Sequence, residues 1–265
     1  MSFPPLKTFA LRLAEAARGE TMKRWSNGIA ADNKAAAGKE FDPVTEADRE
    51  AERAIRRLIE AEYPDHGISG EEFPERASQG RYRWSLDPID GTRSFICGMP
   101  TWVTLIALLD DGVPAIGLID APRLDELYLG DCDAAVLIAR GEERPLKASG
   151  CPSLSNARFS TTDPFLFAGA DADAFAAIRS QVRTTRYGHD GYGYARLAAG
   201  TIDLVVESGL NSYDLNALVP VVRGAGGMIG DWSGGSDFSA GQVVAAATPQ
   251  LFQEALALLR QASRV

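Results

Sequence analysis

The chain has 265 residues, 45% of them hydrophobic, which is enough for a sizeable core in one large domain or two halves. Lys and Arg number 27 against 36 Asp and Glu, a net charge of −9 that argues against a nucleic-acid-binding surface, and no basic run offsets it. The start, Met1 to Lys7, lacks a charged segment followed by an apolar core, and no apolar run reaches the ~20 residues of a membrane span, so a cytoplasmic protein is expected.

Residues 6 to 24 carry apolar side chains at Leu6, Phe9, Ala10, Leu13, Ala14 and Ala17, a stripe that predicts an amphipathic helix. Residues 26 to 43 are polar, small and glycine-containing and read as a loop. A second helix is predicted over 45 to 62, with Thr45 as N-cap, Ala51, Ala54, Ile55, Leu58 and Ile59 on one face, and Tyr63-Pro64-Asp65 as its end. Residues 84–86, 102–109, 115–120 and 126–129 are β-prone. Their short separations at Asp110-Asp111-Gly112 and Ala121-Pro122-Arg123 predict antiparallel hairpins. From Ala157 onward short strands alternate with helices. Helices are expected at 173–181, 192–200, 214–224 and 249–262, and a strand at 202–207. Pro220 should kink the third of these helices or displace its start. With no repeat or flexible linker, the pattern fits a mixed α/β fold in one domain, residues 1–265. Its antiparallel half would run to about residue 147 and its α/β half from about residue 148.

The most informative stretch is Trp84-Ser85-Leu86-Asp87-Pro88-Ile89-Asp90-Gly91-Thr92, where two carboxylates three apart follow an apolar run. Mg²⁺ binds through one or two carboxylates and shares phosphate oxygens, so Asp87 and Asp90 suit a metal site, and Gly91 and Thr92 bring backbone N–H groups for an anion. Alone, the stretch also reads as a strand ending in two ordinary turns. Matching acids occur elsewhere: Asp42-Pro43-Val44-Thr45-Glu46-Ala47-Asp48, then Gly70-Glu71-Glu72, and downstream Glu207 and Tyr213-Asp214. An anionic substrate would be repelled by the net negative charge, so a bound divalent cation is the economical source of positive field.

These four motifs, in this order and spacing, resemble the signatures of the inositol monophosphatase-like superfamily of Mg²⁺-dependent phosphatases, D-P-V-T-x-A-D, G-E-E, D-P-x-D-G-T and W-D-x-x-A. The match runs from about residue 8 to residue 255. It implies a five-layer αβαβα sandwich with the site between the halves, a homodimer, and two or three Mg²⁺ ions, for which Mn²⁺ can substitute. By the same resemblance Glu71, Asp87, Asp90, Asp214 and the Ile89 carbonyl hold metal. Gly91 and Thr92 bind phosphate, and Thr92 with Glu71 orients and activates water for in-line attack. Asp48 would hydrogen-bond Thr92 and support that relay; its plain alternative is an acid in the first turn of a helix. Asp214 can equally be an N-cap. Tyr213 stands where the family has Trp. The resemblance places the 26–43 loop beside the metals, yet Lys34 and Lys39 do not match its usual loop lysine, and neither is assigned a role.

Within the superfamily, the D-P-I-D-G-T-R-S-F run from Asp87 to Phe95, the segment Gly98-Met99-Pro100-Thr101-Trp102 and Tyr213-Asp214 resemble the histidinol-phosphate phosphatases. Arg93, Asp190 and Glu207 are then the substrate contacts, with the two carboxylates facing the cationic end of histidinol phosphate more favourably than a neutral polyol. Arg93 also reads as a structural ion pair. Inositol-1-monophosphatase, or a phosphatase of another small sugar phosphate, is the alternative, and a non-catalytic binding partner a third reading that the intact carboxylates oppose. His66, in the turn after Tyr63-Pro64-Asp65, reads as solvated; His189 lies in a glycine-rich segment where the family contacts substrate. Two such distant histidines do not make a transition-metal site. Cys97, Cys132 and Cys151 are odd in number and widely spaced, and read as reduced thiols.

Overall fold

The computed structural model describes residues 4–25, 30–33 and 43–262. Lys34, Lys39 and most of the 26–43 loop lie outside the described residues. In chain order the elements are helix α1 (Pro4–Arg24), the short pair β1 (Asp32–Asn33) and β2 (Pro43–Val44), helix α2 (Glu46–Glu62), β3 (Gly67–Gly70), β4 (Tyr82–Asp90), α3 (Thr92–Ile96), β5 (Val103–Asp110), β6 (Val113–Ala121), β7 (Glu126–Gly130), β8 (Ala135–Ala139) and β9 (Glu142–Pro145). The second half adds β10 (Arg158–Thr161), α4 (Ala170–Gln181), β11 (Thr184–Tyr187), α5 (Asp190–Ala198), β12 (Leu204–Glu207), α6 (Ser212–Leu215), α7 (Leu218–Gly224), β13 (Met228–Gly230), β14 (Val243–Ala246) and α8 (Pro249–Ala262).

A seven-stranded sheet runs β3 to β9 in sequence order, and a five-stranded sheet has the order β11-β10-β12-β14-β13. The predicted hairpins are antiparallel ladders from β4 through β9. Three cores separate the layers. Phe9, Leu13 and Ile55 of α1 and α2 pack on one face of the large sheet with Trp84 and Ile106. Tyr194, Leu197, Val221 and Val222 of α5 and α7 fill the space between the two sheets. Phe175 and Leu256 of α4 and α8 cover the outer face of the small sheet. The order helix, sheet, helix, sheet, helix is the expected five-layer αβαβα sandwich, each face burying its apolar side against the next.

Several elements depart from expectation. The run at 84–86 is the middle of the nine-residue strand β4, which continues through Asp87 to Asp90 rather than ending in a turn. Its register against β5 shifts between Asp87 and Asp90, a bulge where Pro88, which has no N–H to give the ladder, is tolerated. The helix expected over 214–224 is two helices, α6 and α7. Pro220 sits in the first turn of α7, so it displaces the helix start rather than kinking its interior. Strands β3, β8 and β9 carry no alternation strong enough to predict them; β9 is Glu-Glu-Arg-Pro, wholly exposed, the charged edge that closes a sheet against further pairing. His66 is half-buried rather than solvated. Its ring stacks on Tyr63 at 4.7 Å, and its Nδ1 accepts from Trp84 Nε1 at 3.1 Å.

Helix α7 lies on the large sheet at glycine distance. A Cβ on Gly117 would stand 2.1 Å from the Ala217 carbonyl oxygen, and one on Gly130 2.5 Å from that of Pro220. This close approach, with Asn216 Nδ2 donating to Ser85 Oγ at 3.0 Å, fixes α6 and its Asp214 over the end of β4.

Candidate active site

In both sheets the carboxyl ends of parallel strands point at one cleft. β3 and β4 deliver Glu71 and Asp90, while β10 and β12 deliver Thr162 and Glu207, the usual placement of a ligand site in a sheet with parallel strands. The cleft encloses about 250 Å³.

Asp87, Asp90 and Asp214 each offer a carboxylate oxygen, and the three oxygens lie within 4.8 Å of one another. The β4 bulge turns Asp87 and Asp90 the same way, and the Ile89 N–H donates to Asp87 Oδ1 at 3.1 Å. Asp214 is the third residue of α6, reciprocally capped with Asn211, whose N–H donates to Asp214 Oδ2 at 2.7 Å; it is not itself the N-cap. Burial first, and then the neighbouring carboxyls, push Asp87 and Asp90 well above the usual carboxylate range. Asp214 is raised to about 7 by burial, against the pull of the Asn211 N–H and with help from Glu71. An oxygen-only cluster whose members suppress one another's ionisation fits a hard divalent cation, which would remove both penalties.

Glu71 is outside that tight trio, although its carboxyl contacts Asp87. Its turn rests on buried Glu52, which sequence reasoning missed: Glu52 Oε2 accepts from the Glu72 N–H at 2.9 Å, and Oε1 from Arg56 Nε at 2.7 Å. Its signal was a Glu inside the apolar stripe of α2, one turn before Arg56.

Gly91 holds φ +84°, and a Cβ there would meet Asp190 Oδ2 at 2.8 Å, so this position requires glycine. Thr92 begins α3 beside it, and its Oγ1 donates to the Ile89 carbonyl at 3.0 Å. The expected hydrogen bond from Asp48 to Thr92 is not made. Asp48 Oδ2 accepts from the Thr45 N–H and Oγ1, closing the capping box of α2, while its buried Oδ1 has no partner among the described residues. Burial, opposed by those Thr45 bonds, raises Asp48 to about 7. The i, i+3 capping box fixes Asp48 through Oδ2 alone and leaves Oδ1 unused.

The cleft is also lined by Asp190, which lies against Gly91, and by Glu207. Asp190 opens α5 at φ +46°, an uncommon conformation for a residue with a side chain, and burial raises it to about 6 against the pull of Arg93. Glu207 is raised to about 8 by burial, although Thr162 N–H (2.8 Å), Thr162 Oγ1 (3.1 Å) and Thr161 Oγ1 (3.1 Å) donate to it. Arg93 NH1 lies 3.5 Å from Asp163, the ion pair that was its alternative reading, and still lines the cleft. His189 Nδ1 pairs with Ser160 Oγ at 2.8 Å, and the histidine is not among the cleft-lining residues. Sequence reasoning also missed Tyr194, which walls the cleft from α5. Its signal was one of two large polar-tipped rings set among small residues in the Gly191-Tyr192-Gly193-Tyr194-Ala195 run.

No helix among the described residues is long and apolar enough to cross a membrane, and all three cysteines are free thiols.

The model of the inositol monophosphatase family matches residues 4–264. The chain is 47% identical over 197 residues to the chloroplastic bifunctional phosphatase IMPL2 of Arabidopsis thaliana, covering 74% of this chain but 56% of that longer protein. It is 34% identical to the histidinol-phosphatase of Chlorobaculum parvum, with 84% of this chain and 85% of that one covered. The solved inositol monophosphatase of Zymomonas mobilis superposes with a TM-score of 0.85 at 39% identity, over 98% of this chain and 99% of that one. With the acidic cluster, the five layers and this match over almost its whole length, the chain belongs to the inositol monophosphatase family, whose members are metal-dependent phosphomonoesterases.

Proposed function

We propose that this protein hydrolyses histidinol phosphate to histidinol and inorganic phosphate, in the cytoplasm and with Mg²⁺ as its metal. The observation that carries the reading is a pair of carboxyls lining the cleft beside the metal-type cluster, half-buried Asp190 and buried Glu207. A phosphate bound at the cluster directs its alcohol portion at that pair, and a cationic alcohol gains charge-assisted hydrogen bonds there that a polyol does not. Similarity to a histidinol-phosphatase of comparable length supports it.

Asp87, Asp90, Asp214 and Glu71 would hold the metal, together with the Ile89 carbonyl, whose second lone pair is left over from Thr92. When bound, the metal supplies Lewis-acid polarisation of the phosphoryl group and lowers the pKa of water. Thr92, with its O–H donating to the Ile89 carbonyl, turns its lone pairs to accept from the attacking water. Glu71 takes the proton that this water sheds, and the Gly91–Thr92 backbone at the start of α3 cradles the phosphate. The water oxygen bonds to phosphorus as the P–O ester bond breaks on the opposite side, and the departing oxygen takes a proton from a solvent water to leave as the alcohol.

The alternative substrate is inositol 1-phosphate, favoured by similarity to the Zymomonas mobilis enzyme. A phosphate-release panel of histidinol phosphate, inositol 1-phosphate and fructose 1,6-bisphosphate, each with Mg²⁺, separates the two. Histidinol phosphate is expected to have the highest kcat/KM, and a higher value for inositol 1-phosphate overturns the reading.

A further inference from the structure

We propose that Tyr194 is a specificity-determining residue, whose buried hydroxyl donates a hydrogen bond to a heteroatom in the alcohol portion of the phosphate ester. The inference rests on the phosphatase reading above and assigns the side chain that reads the far end of the substrate. Tyr194 stands on α5 between the two sheets, 1% exposed, with its ring in the middle-layer core. It also lines the cleft, near the cluster residues Asp90 and Asp214 and near Glu207. Its hydroxyl has no hydrogen-bond partner among the described residues.

A buried donor left without an acceptor destabilises a fold, and phenylalanine would fill the same space without that cost. The hydroxyl therefore contributes nothing to packing that its removal would forfeit. Its neighbours explain what it adds. When ionised, Asp190 and Glu207 only accept, and the N–H and hydroxyl of Thr162 are already committed to Glu207. A substrate heteroatom with a lone pair, such as a neutral imidazole nitrogen, needs a donor at this end of the cleft, and Tyr194 provides one.

The test is Tyr194→Phe in the full chain with Mg²⁺, using histidinol phosphate and, as an ester whose ring bears no heteroatom, phenyl phosphate. KM for histidinol phosphate should rise about three- to tenfold, the worth of one neutral hydrogen bond. KM for phenyl phosphate and inhibition by inorganic phosphate should not change, and the melting temperature without ligand should hold or rise. An unchanged KM for histidinol phosphate overturns the proposal. So does a fall in melting temperature with equal KM changes on both esters, which marks a purely structural tyrosine. A wild type active on phenyl phosphate but idle on histidinol phosphate sinks the substrate reading instead. The comparison then moves to whichever heteroatom-bearing ester the wild type hydrolyses, and equal KM values in the two proteins overturn the role of Tyr194.

Discussion

The two walls of the cleft are built by different means. On the β4 side, Asp87, Ile89, Asp90, Gly91 and Thr92 follow one another along six residues, and backbone features aim them: a bulge at Pro88, a left-handed glycine, a helix start. On the other side Thr162, Asp190, Tyr194 and Glu207 come from three places in the chain and meet only because β10, α5 and β12 pack together. On the proposed reading, the first wall faces the phosphoryl group, which every substrate of this kind shares, and the second faces the part that differs. Chemistry common to all substrates can be written in one contiguous motif, whereas discrimination is distributed over the packing of the middle layer.

The comparison breaks most visibly at the cluster. Asp90→Asn should lower kcat by about three powers of ten or more, because it removes charge from a metal-holding carboxylate. A loss of tenfold or less would show that the β4 wall is not the centre of the chemistry. The same cluster sets a pH dependence in metal-free protein. Its carboxyls, with Asp214 at about 7 and Glu207 at about 8, hold protons more tightly folded than unfolded. Their folded state therefore binds the extra protons, and stability is greatest below the unfolded values and falls as pH rises through the folded ones. The melting temperature of chelator-treated protein should drop from about pH 5 to about pH 8, and Mg²⁺ should restore more at the upper end. Asp90→Asn should flatten that drop.

Next in size is Thr92→Ala, expected to lower kcat about a hundredfold with little change in KM, since the hydroxyl is assigned to positioning water rather than substrate. A raised KM with kcat kept would move Thr92 to phosphate binding.

How much of this was legible in the sequence follows the same division. The acids of the β4 wall could be read from Asp87 to Thr92, because hard-metal chemistry demands oxygen ligands and the motif is contiguous. The α1 and α2 stripes and the antiparallel hairpins could be read from periodicity, since each buries one face. Strand β9 could not, because it is exposed on an edge; the break between α6 and α7 was signalled by Pro220, but its place is set by how closely α7 approaches Gly117 and Gly130. The capping of α2 by Asp48 Oδ2 is a local bond that motif spacing does not display, and it leaves Oδ1 without a partner among the described residues. Tyr194 was missed because an aromatic on an amphipathic helix looks like core until its hydroxyl is found without a partner.

On the second wall, Glu207→Gln, assayed above pH 8 where the carboxyl is ionised, should raise KM for histidinol phosphate about tenfold, the scale of a charge-assisted hydrogen bond, and change inositol phosphate hydrolysis much less. The substitution suits its surroundings. A glutamine oxygen in place of Oε1 keeps both donors of Thr162, and the Thr161 hydroxyl, now 3.1 Å from Oε2, can rotate to accept from the new amide. Equal losses on both esters would make Glu207 a general support for the wall.

The smallest effect is expected at Arg93, which touches both walls. Its ion pair with Asp163 is half-exposed, so Arg93→Ala should move the melting temperature little, as pairs of this kind contribute ~0–1 kcal/mol. Its influence on Asp190 is the sharper readout. Burial raises that carboxyl to about 6, and the arginine charge opposes the rise. Without Arg93 the carboxyl should climb further, so more of it is protonated at a given pH and less able to hold a cation. The acidic limb of kcat/KM for histidinol phosphate should therefore shift to higher pH, while the profile for a neutral ester, which does not need that charge, stays in place. If both profiles move together, Arg93 acts on the phosphate, and the division between a wall for the phosphoryl group and a wall for the alcohol does not pass where Asp190 stands.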